Sequence, residues 1–342
     1  MPPTVWQSSG HVDNPWLEQW LAALRASGAV VAPLRPDGLR AALGGRVRRG
    51  DWLQLQWPEN VLSPPGAGRA AVWALKLLAM TALLRARGAR VLLTLHNTRS
   101  HEQRHPRLER AFWDLLDRLV TDVHLMSEAA RAEVDRAHPR LRRTPVHVVP
   151  HGHYRDVLPP LPDAAAARRA CGLPAAPRVV LLFGAVRPYK GFLEYLAALD
   201  GLPAGWHVVV AGRCADPALQ QALEARADER VTLRLHRHED DELAVLLAAC
   251  DVVALPYRAI LNSGSALLAL SCGRAVQAPD TPTFRELQDQ VGRDWVHLTP
   301  GPPRPADLAA LPRPAAGAPD LSAHAWPRIA ALQADLLASA PR

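Results

Sequence analysis

Short apolar runs alternate with longer segments of helical period along almost the whole chain. In the first half the runs at 29–33 (AVVAP), 51–56 (DWLQLQ), 90–95 (RVLLTL), 122–126 (DVHLM) and 145–149 (PVHVV) have the length and composition of buried strands. Between them, 15–26, 69–87, 107–119 and 127–137 carry apolar positions at helical spacing. The pattern restarts at 178–183 (RVVLLF) and continues at 206–211, 230–235, 251–255 and 274–278, with helices expected at 190–199, 216–227, 240–249 and 264–272. Such alternation predicts βαβ units and parallel sheets, an α/β fold of two Rossmann-like doubly wound domains.

Length agrees, since 342 residues exceed one typical core. The expected division is an N-terminal domain over 1–155, a Pro- and Ala-rich connection at 156–177, and a C-terminal domain over 178–320. A final helix at 321–342 is expected to pack back across the domain junction.

Charge is unevenly placed. Residues 1–150 hold 21 Lys plus Arg against 13 Asp plus Glu, whereas 151–342 hold 19 against 20. No nucleic-acid recognition motif accompanies the basic half, so an anionic membrane surface or a solvated Arg-rich face explains it better. The most apolar long stretch, 70–84, contains Lys76 and is shorter than a spanning helix requires. It is expected either as an internal helix or as one lying on a membrane surface with Arg69, Lys76, Arg85 and Arg87 near head groups. Cys171, Cys214, Cys250 and Cys272 are scattered singly, as ordinary thiols of a reducing cytoplasm are, and the N-terminus lacks the charged and apolar regions of a secretory signal.

Ligands of doubly wound folds bind beyond the carboxyl ends of the strands, so the segments after each strand carry the candidate chemistry; two such domains facing each other enclose a central cleft. "FGAVRPYKGF" at 183–192 follows a strand and places Lys190, one of two lysines beside 38 arginines, next to Arg187. Arg offers a planar fork and Lys a compact point charge, a pair suited to a diphosphate. "LNSGSALLALSCG" opens a helix after a later strand, and its free N–H groups with Ser263 and Ser265 form an anion site. In the first half, "TLHNTRSHEQRH" supplies His96, Asn97, His101 and Glu102, and "QWPENVL" supplies Glu59, as candidate acids, bases or sugar contacts. "PHGHYRD" adds His151, His153 and Tyr154. Two His without a third ligand make no metal site there, and "HRHEDDEL" at 236–243 reads as acids complementing a helix N-terminus rather than a Mg²⁺ motif.

"QLQWPENVL", "TLHNTRSHE", "PHGHYRD", "FGAVRPYKG", "LPYRAILNSGSALLALSCGRAVQAP", "VGRDWVHL" and "WPRIAAL" occur together and in order. By these segments the chain resembles the GT-B glycosyltransferases, and more narrowly the xanthan-type GDP-mannose:glycolipid β-1,4-mannosyltransferases. The resemblance covers most of the chain. It implies transfer of mannose from GDP-mannose to a polyprenyl-diphosphate-linked oligosaccharide in exopolysaccharide biosynthesis, at the cytoplasmic face of the membrane, with no bound metal or other cofactor. It further implies that Arg187 and Lys190 hold the donor diphosphate and that Asn262, Ser263, Gly264 and Ser265 meet the nucleotide. His96, Asn97 and Glu102 then face the sugar and acceptor, with Glu102 as the preferred base.

One departure matters. Retaining relatives carry two glutamates eight positions apart, and the matching positions here are Ile260 and Leu268. This favours an inverting mechanism, with Glu286 as a substitute contact. A transferase using another nucleotide sugar, and a non-catalytic nucleotide-sugar-binding protein, are the alternatives.

Overall fold

The computed structural model describes residues 2–8, 14–34, 47–98, 104–174, 178–258, 260–312 and 317–339. By contact, these form two compact units, residues 1–152 with 324–342 and residues 153–323.

The first unit contains β1 (Thr4–Gln7), α1 (Pro15–Ala26), β2 (Val30–Pro33), β3 (Trp52–Gln56), α2 (Ala67–Ala86), β4 (Arg90–Thr94), α3 (Pro106–Leu116), β5 (Asp122–Leu125), α4 (Arg131–Ala137) and β6 (Val146–Val148). Its strands form one parallel sheet in the order β2-β1-β3-β4-β5-β6. β1 (TVWQ) holds only two apolar residues, Val5 and Trp6, between polar ones, so it makes no apolar run in the sequence. Local chemistry starts α1: Asn14 Oδ1 accepts from the backbone N–H of Trp16 at 3.0 Å and of Leu17 at 3.4 Å, ahead of Pro15 in the first turn. The helix then buries Trp16, Leu17 and Trp20.

α2 is longer than the apolar stretch read from the sequence, at 20 residues, and is long and apolar enough by length and composition to cross a membrane. Ala70, Ala74, Leu78, Thr81 and Leu84 form one buried stripe at helical spacing. The rest of the helix is largely uncovered within this chain, and Val72, Trp73 and Leu75 are among its exposed large apolar side chains.

The second unit contains α5 (Ala164–Ala170), β7 (Arg178–Phe183), α6 (Phe192–Ala197), β8 (Trp206–Ala211), α7 (Pro217–Glu224), β9 (Val231–Arg234), α8 (Asp240–Ala249), β10 (Val252–Ala254), α9 (Gly264–Ser271), β11 (Ala275–Pro279), α10 (Pro282–Val291) and β12 (Val296–Thr299). The parallel order is β12-β11-β10-β7-β8-β9. β7, β8 and β10 are buried throughout or nearly so, as strands covered on both faces must be, which is why they read as unbroken Val and Leu runs. The last helix, α11 (Trp326–Ala338), belongs to the first unit, where Gln333 Nε2 donates to the Trp20 carbonyl at 3.4 Å.

The segment 156–177, expected as a plain connection, is instead part of the second unit. Asp163 caps α5 by accepting from Ala166 N–H at 2.8 Å, Ala167 is fully buried, and Arg168 pairs with Asp251 at 2.7 Å. The Ala run there is a docked helix: Ala is the best helix former, and its small side chain lets the helix lie close to its neighbours.

Candidate active site

In the second unit the strand order reverses between β7 and β10, which is the switch point of the 3-2-1-4-5-6 arrangement. The carboxyl end of β7 leads into a 3₁₀ turn, Pro188–Lys190, and that of β10 leads to α9. Arg187 precedes the turn and is exposed. Lys190 is buried beneath it, with Nζ 5.3 Å from the Tyr257 ring centroid and 6.0 Å from that of Phe192. Burial lowers its pKa and Arg187 lowers it further, while Tyr189 raises it.

Glycines make room for this packing. Gly184 has φ +101°, and a Cβ there would lie 2.6 Å from Lys190 Nζ and 3.7 Å from Ser265 Oγ. The lysine and the helix start therefore meet over one bare stretch of backbone. Gly191, at φ +71°, lies where a side chain would collide with the Pro256 carbonyl oxygen. Ser263 caps α9, its Oγ accepting from Ala266 N–H at 3.1 Å. Burial pushes the Tyr257 phenol up to about 12, against hydrogen bonding with Ser265 and Ser263. Asn262 immediately precedes the cap and is half-buried, and Gly264 opens the helix. A buried ammonium beside uncommitted helical N–H groups is a site for a compact polyanion such as a diphosphate. Glu286 lies within α10, where its Oε1 accepts from Gln290 at 3.4 Å.

The first unit has its own reversal between β1 and β3. Beyond β3, Trp57 adopts φ +46°, the one non-glycine in the left-handed region among the described residues. That conformation is costly for a bulky side chain and turns the chain into the 3₁₀ turn Pro58–Leu62. The turn buries Glu59, which accepts from Asn97 Nδ2 at 3.4 Å. Burial is the largest influence on this carboxyl group, with Glu109 adding to it, and its pKa is pushed up to about 7 despite hydrogen bonds and the His138 charge.

His96 stacks on Trp57 with centroids 3.8 Å apart, and its Nε2 donates to Gln56 Oε1 at 2.7 Å. Burial, then the neighbouring His124 and His151, hold it well below the ordinary histidine range. His101 and Glu102 lie outside the described residues.

Behind these groups runs a buried polar row that the sequence reading missed. Gln7 donates to Gln54 at 2.5 Å, Gln54 to Thr94 at 2.8 Å, and His124 lies 3.1 Å from Thr94 and donates to the Val149 carbonyl at 2.9 Å. The Gln and His of "QLQ" and "DVHL" were its only sequence signal, polar residues inside runs otherwise buried. Burial pushes His124 down to about 4, so it stays neutral.

The "PHGHYRD" residues divide between the two units. His151 belongs to the first unit, donates from Nδ1 to the Gly152 carbonyl at 2.8 Å, and is pushed by burial to about 4. His153 begins the second unit, with its pKa lowered chiefly by burial. Tyr154 packs against the second unit's core, and burial drives its phenol far above the ordinary range. An aromatic ring next to a strand end finds more apolar area in that core than in solvent.

Two parallel six-stranded α/β units, each with a reversal of strand order, have the architecture of the GT-B glycosyltransferases. A sequence profile described as "Glycosyl transferases group 1" matches residues 177–310. The GDP-mannose:glycolipid 4-β-D-mannosyltransferase of Xanthomonas campestris pv. campestris is 34% identical over 328 residues, covering 93% of this chain and 86% of that one. The chain belongs to the glycosyltransferase family of that enzyme. In fold it is similar to Anabaena Alr3699/HepE, crystallised with UDP-glucose, at TM-score 0.65 and 17% identity over 99% of this chain and 98% of that one. Sucrose-phosphate synthase of Thermosynechococcus elongatus gives TM-score 0.65 at 16% identity, covering 98% and 95%.

Proposed function

We propose that the protein transfers mannose from GDP-mannose to a lipid-linked oligosaccharide, with inversion and without a catalytic metal. The observation that carries this reading is the convergence of Lys190 and the α9 start on Gly184 at the switch point of the second unit. Arg187, Lys190 and the free N–H groups of α9 take the charge that develops on the departing diphosphate, a fixed electrostatic role. The identity with a GDP-mannose-using glycolipid transferase over most of both chains supports mannose and a glycolipid acceptor.

Glu59 takes the role of base for which Glu102 and His96 were the first candidates. Its carboxylate accepts the acceptor hydroxyl proton as the hydroxyl oxygen bonds to the anomeric carbon. The bond from that carbon to the phosphate oxygen breaks, and GDP leaves with the electron pair. A carboxyl group with pKa near the working pH suits this task, and Asn97 and the strained Trp57 turn hold it in place. His96, neutral and donating to Gln56, positions the Trp57 ring rather than moving a proton.

The acceptor's polyprenyl-diphosphate carrier places the enzyme at the cytoplasmic membrane face, in assembly of an exopolysaccharide. Support comes from the exposed Val72, Trp73 and Leu75 of α2 beside Arg69 and Lys76, an apolar surface edged with cations. The testing experiment is calorimetric titration with GDP, UDP and GDP-mannose. GDP and GDP-mannose binding that Lys190→Ala loses supports the donor assignment, and binding of UDP alone rejects it.

A further inference from the structure

A second cluster of side chains lies on the connection from β9 to α8, apart from the β7 and β10 connections that carry the donor residues. β9 is the edge strand, separated from β7 by β8, so the two connections leave the sheet about 10 Å apart at the usual strand spacing. The acids Asp240, Asp241 and Glu242 occupy the first turn of α8, as a helix dipole favours. Glu239 at the N-cap makes no capping hydrogen bond, so capping leaves the two histidines ahead of it unexplained.

The His238 side chain is 4% exposed, and its Nε2 donates to the Arg234 carbonyl at 3.1 Å. With that proton committed to the carbonyl, Nδ1 is the ring nitrogen left to bind a cation. Nδ1 is buried and faces Glu242 Oε1 at 2.8 Å. A lone pair pressed against a carboxylate oxygen is repulsive unless a cation or a second proton comes between them. His236 reaches the same oxygen, with Nε2 at 3.0 Å, and its ring centroid is 4.1 Å from that of His238. The three ligand atoms all lie within 4.8 Å of one another.

We propose that His236, His238 and Glu242 form a binding site for a divalent cation of the Zn²⁺ class. Two imidazoles and one carboxylate are a recurrent donor set for this ion, with the fourth position left to water. At metal–ligand distances of about 2.0–2.1 Å, tetrahedral ligands stand roughly 3.3 Å apart, so these side chains open by a few tenths of an ångström to admit it. The metal takes the place of the proton on His236 Nε2 and satisfies His238 Nδ1. The Arg234 carbonyl is the outer partner that orients the His238 ring. Bound there, the ion ties the end of β9 to the start of α8. Glycosyl transfer does not pass through it, and the inference stands independently of the donor assignment.

The test is calorimetric titration of the full-length, chelator-stripped protein with Zn²⁺ alone, followed by the Co²⁺ absorption spectrum. The expected result is one saturable equivalent, weakened at least about tenfold in His238→Ala and in Glu242→Gln. Zn²⁺ is also expected to raise the unfolding temperature of the wild type and not of Glu242→Gln. If either variant fails to fold, His236→Gln, at an exposed position, takes its place. No saturable equivalent, wild-type affinity in the variants, or an intense thiolate-to-cobalt band pointing to cysteine ligation would each overturn the site. Lys190→Ala is expected to keep Zn²⁺ binding, so this inference and the donor assignment fail separately.

Discussion

Gly184 and Lys190 share one space: a Cβ on the glycine would lie 2.6 Å from the lysine Nζ. Gly184 also holds φ +101°, so Gly184→Ala adds backbone strain and displaces the ammonium. Both Gly184→Ala and Lys190→Ala are expected to weaken GDP binding roughly ten- to a hundredfold, the worth of a charge-assisted hydrogen bond. Lys190→Arg should not restore it, because the longer planar group does not fit a buried point-charge position. Wild-type GDP affinity in Lys190→Ala, read by calorimetry, would remove the lysine from the donor site.

Glu59→Gln keeps the shape and the Asn97 neighbour but cannot accept a proton. Turnover with GDP-mannose and glycolipid acceptor is expected to fall about 10²- to 10⁴-fold while GDP affinity stays unchanged. In the wild type, the rate should rise with pH and level off above about 7, where the carboxyl group is ionised. A variant with normal turnover sinks the assignment of Glu59 as base.

The same carboxyl group leaves a mark on stability. Its folded pKa is raised from 4.5 to about 7, so the native state holds a proton that the unfolded chain has already released between those values. Stability from this group is present below pH 4.5 and is lost as pH rises to 7, by roughly 3 kcal/mol at 1.36 kcal/mol per pH unit. Denaturant unfolding of Glu59→Gln should lack that decline relative to wild type, and parallel pH profiles would show that the carboxyl group is not buried in solution.

Trp73 and Leu75 lie on the uncovered side of α2. Replacing both with Ser removes apolar area worth about 2 kcal/mol per side chain from a membrane contact without touching the buried stripe. Flotation with anionic vesicles should drop by at least tenfold while the unfolding midpoint stays near wild type. Retained flotation would place the membrane contact elsewhere.

Much of the fold was legible because burial imposes a local pattern: β7, β8 and β10 read as Val and Leu runs since both faces are covered. β1 and β12 were missed because TVWQ and VHLT each hold only two apolar residues, and α5 because a Pro- and Ala-rich run looks like a connection until Ala167 and Arg168 are seen docked. Of the candidate site, "VRPYKG" and "NSGS" could be found as residues after strands. The weight of Glu59 could not, since its pKa comes from burial by groups distant in the chain, nor could the inward turn of Tyr154.

By itself the sequence determined two α/β halves, the positions of most strands and helices, and the loops on which chemistry sits, because the periods of strand and helix are written residue by residue. Only the tertiary structure decided that β7 lies beside β10 and β1 beside β3. Strand order comes from pairing between segments far apart in the chain, and it is this order that brings Lys190 to the start of α9 and places Glu59 beyond the other reversal.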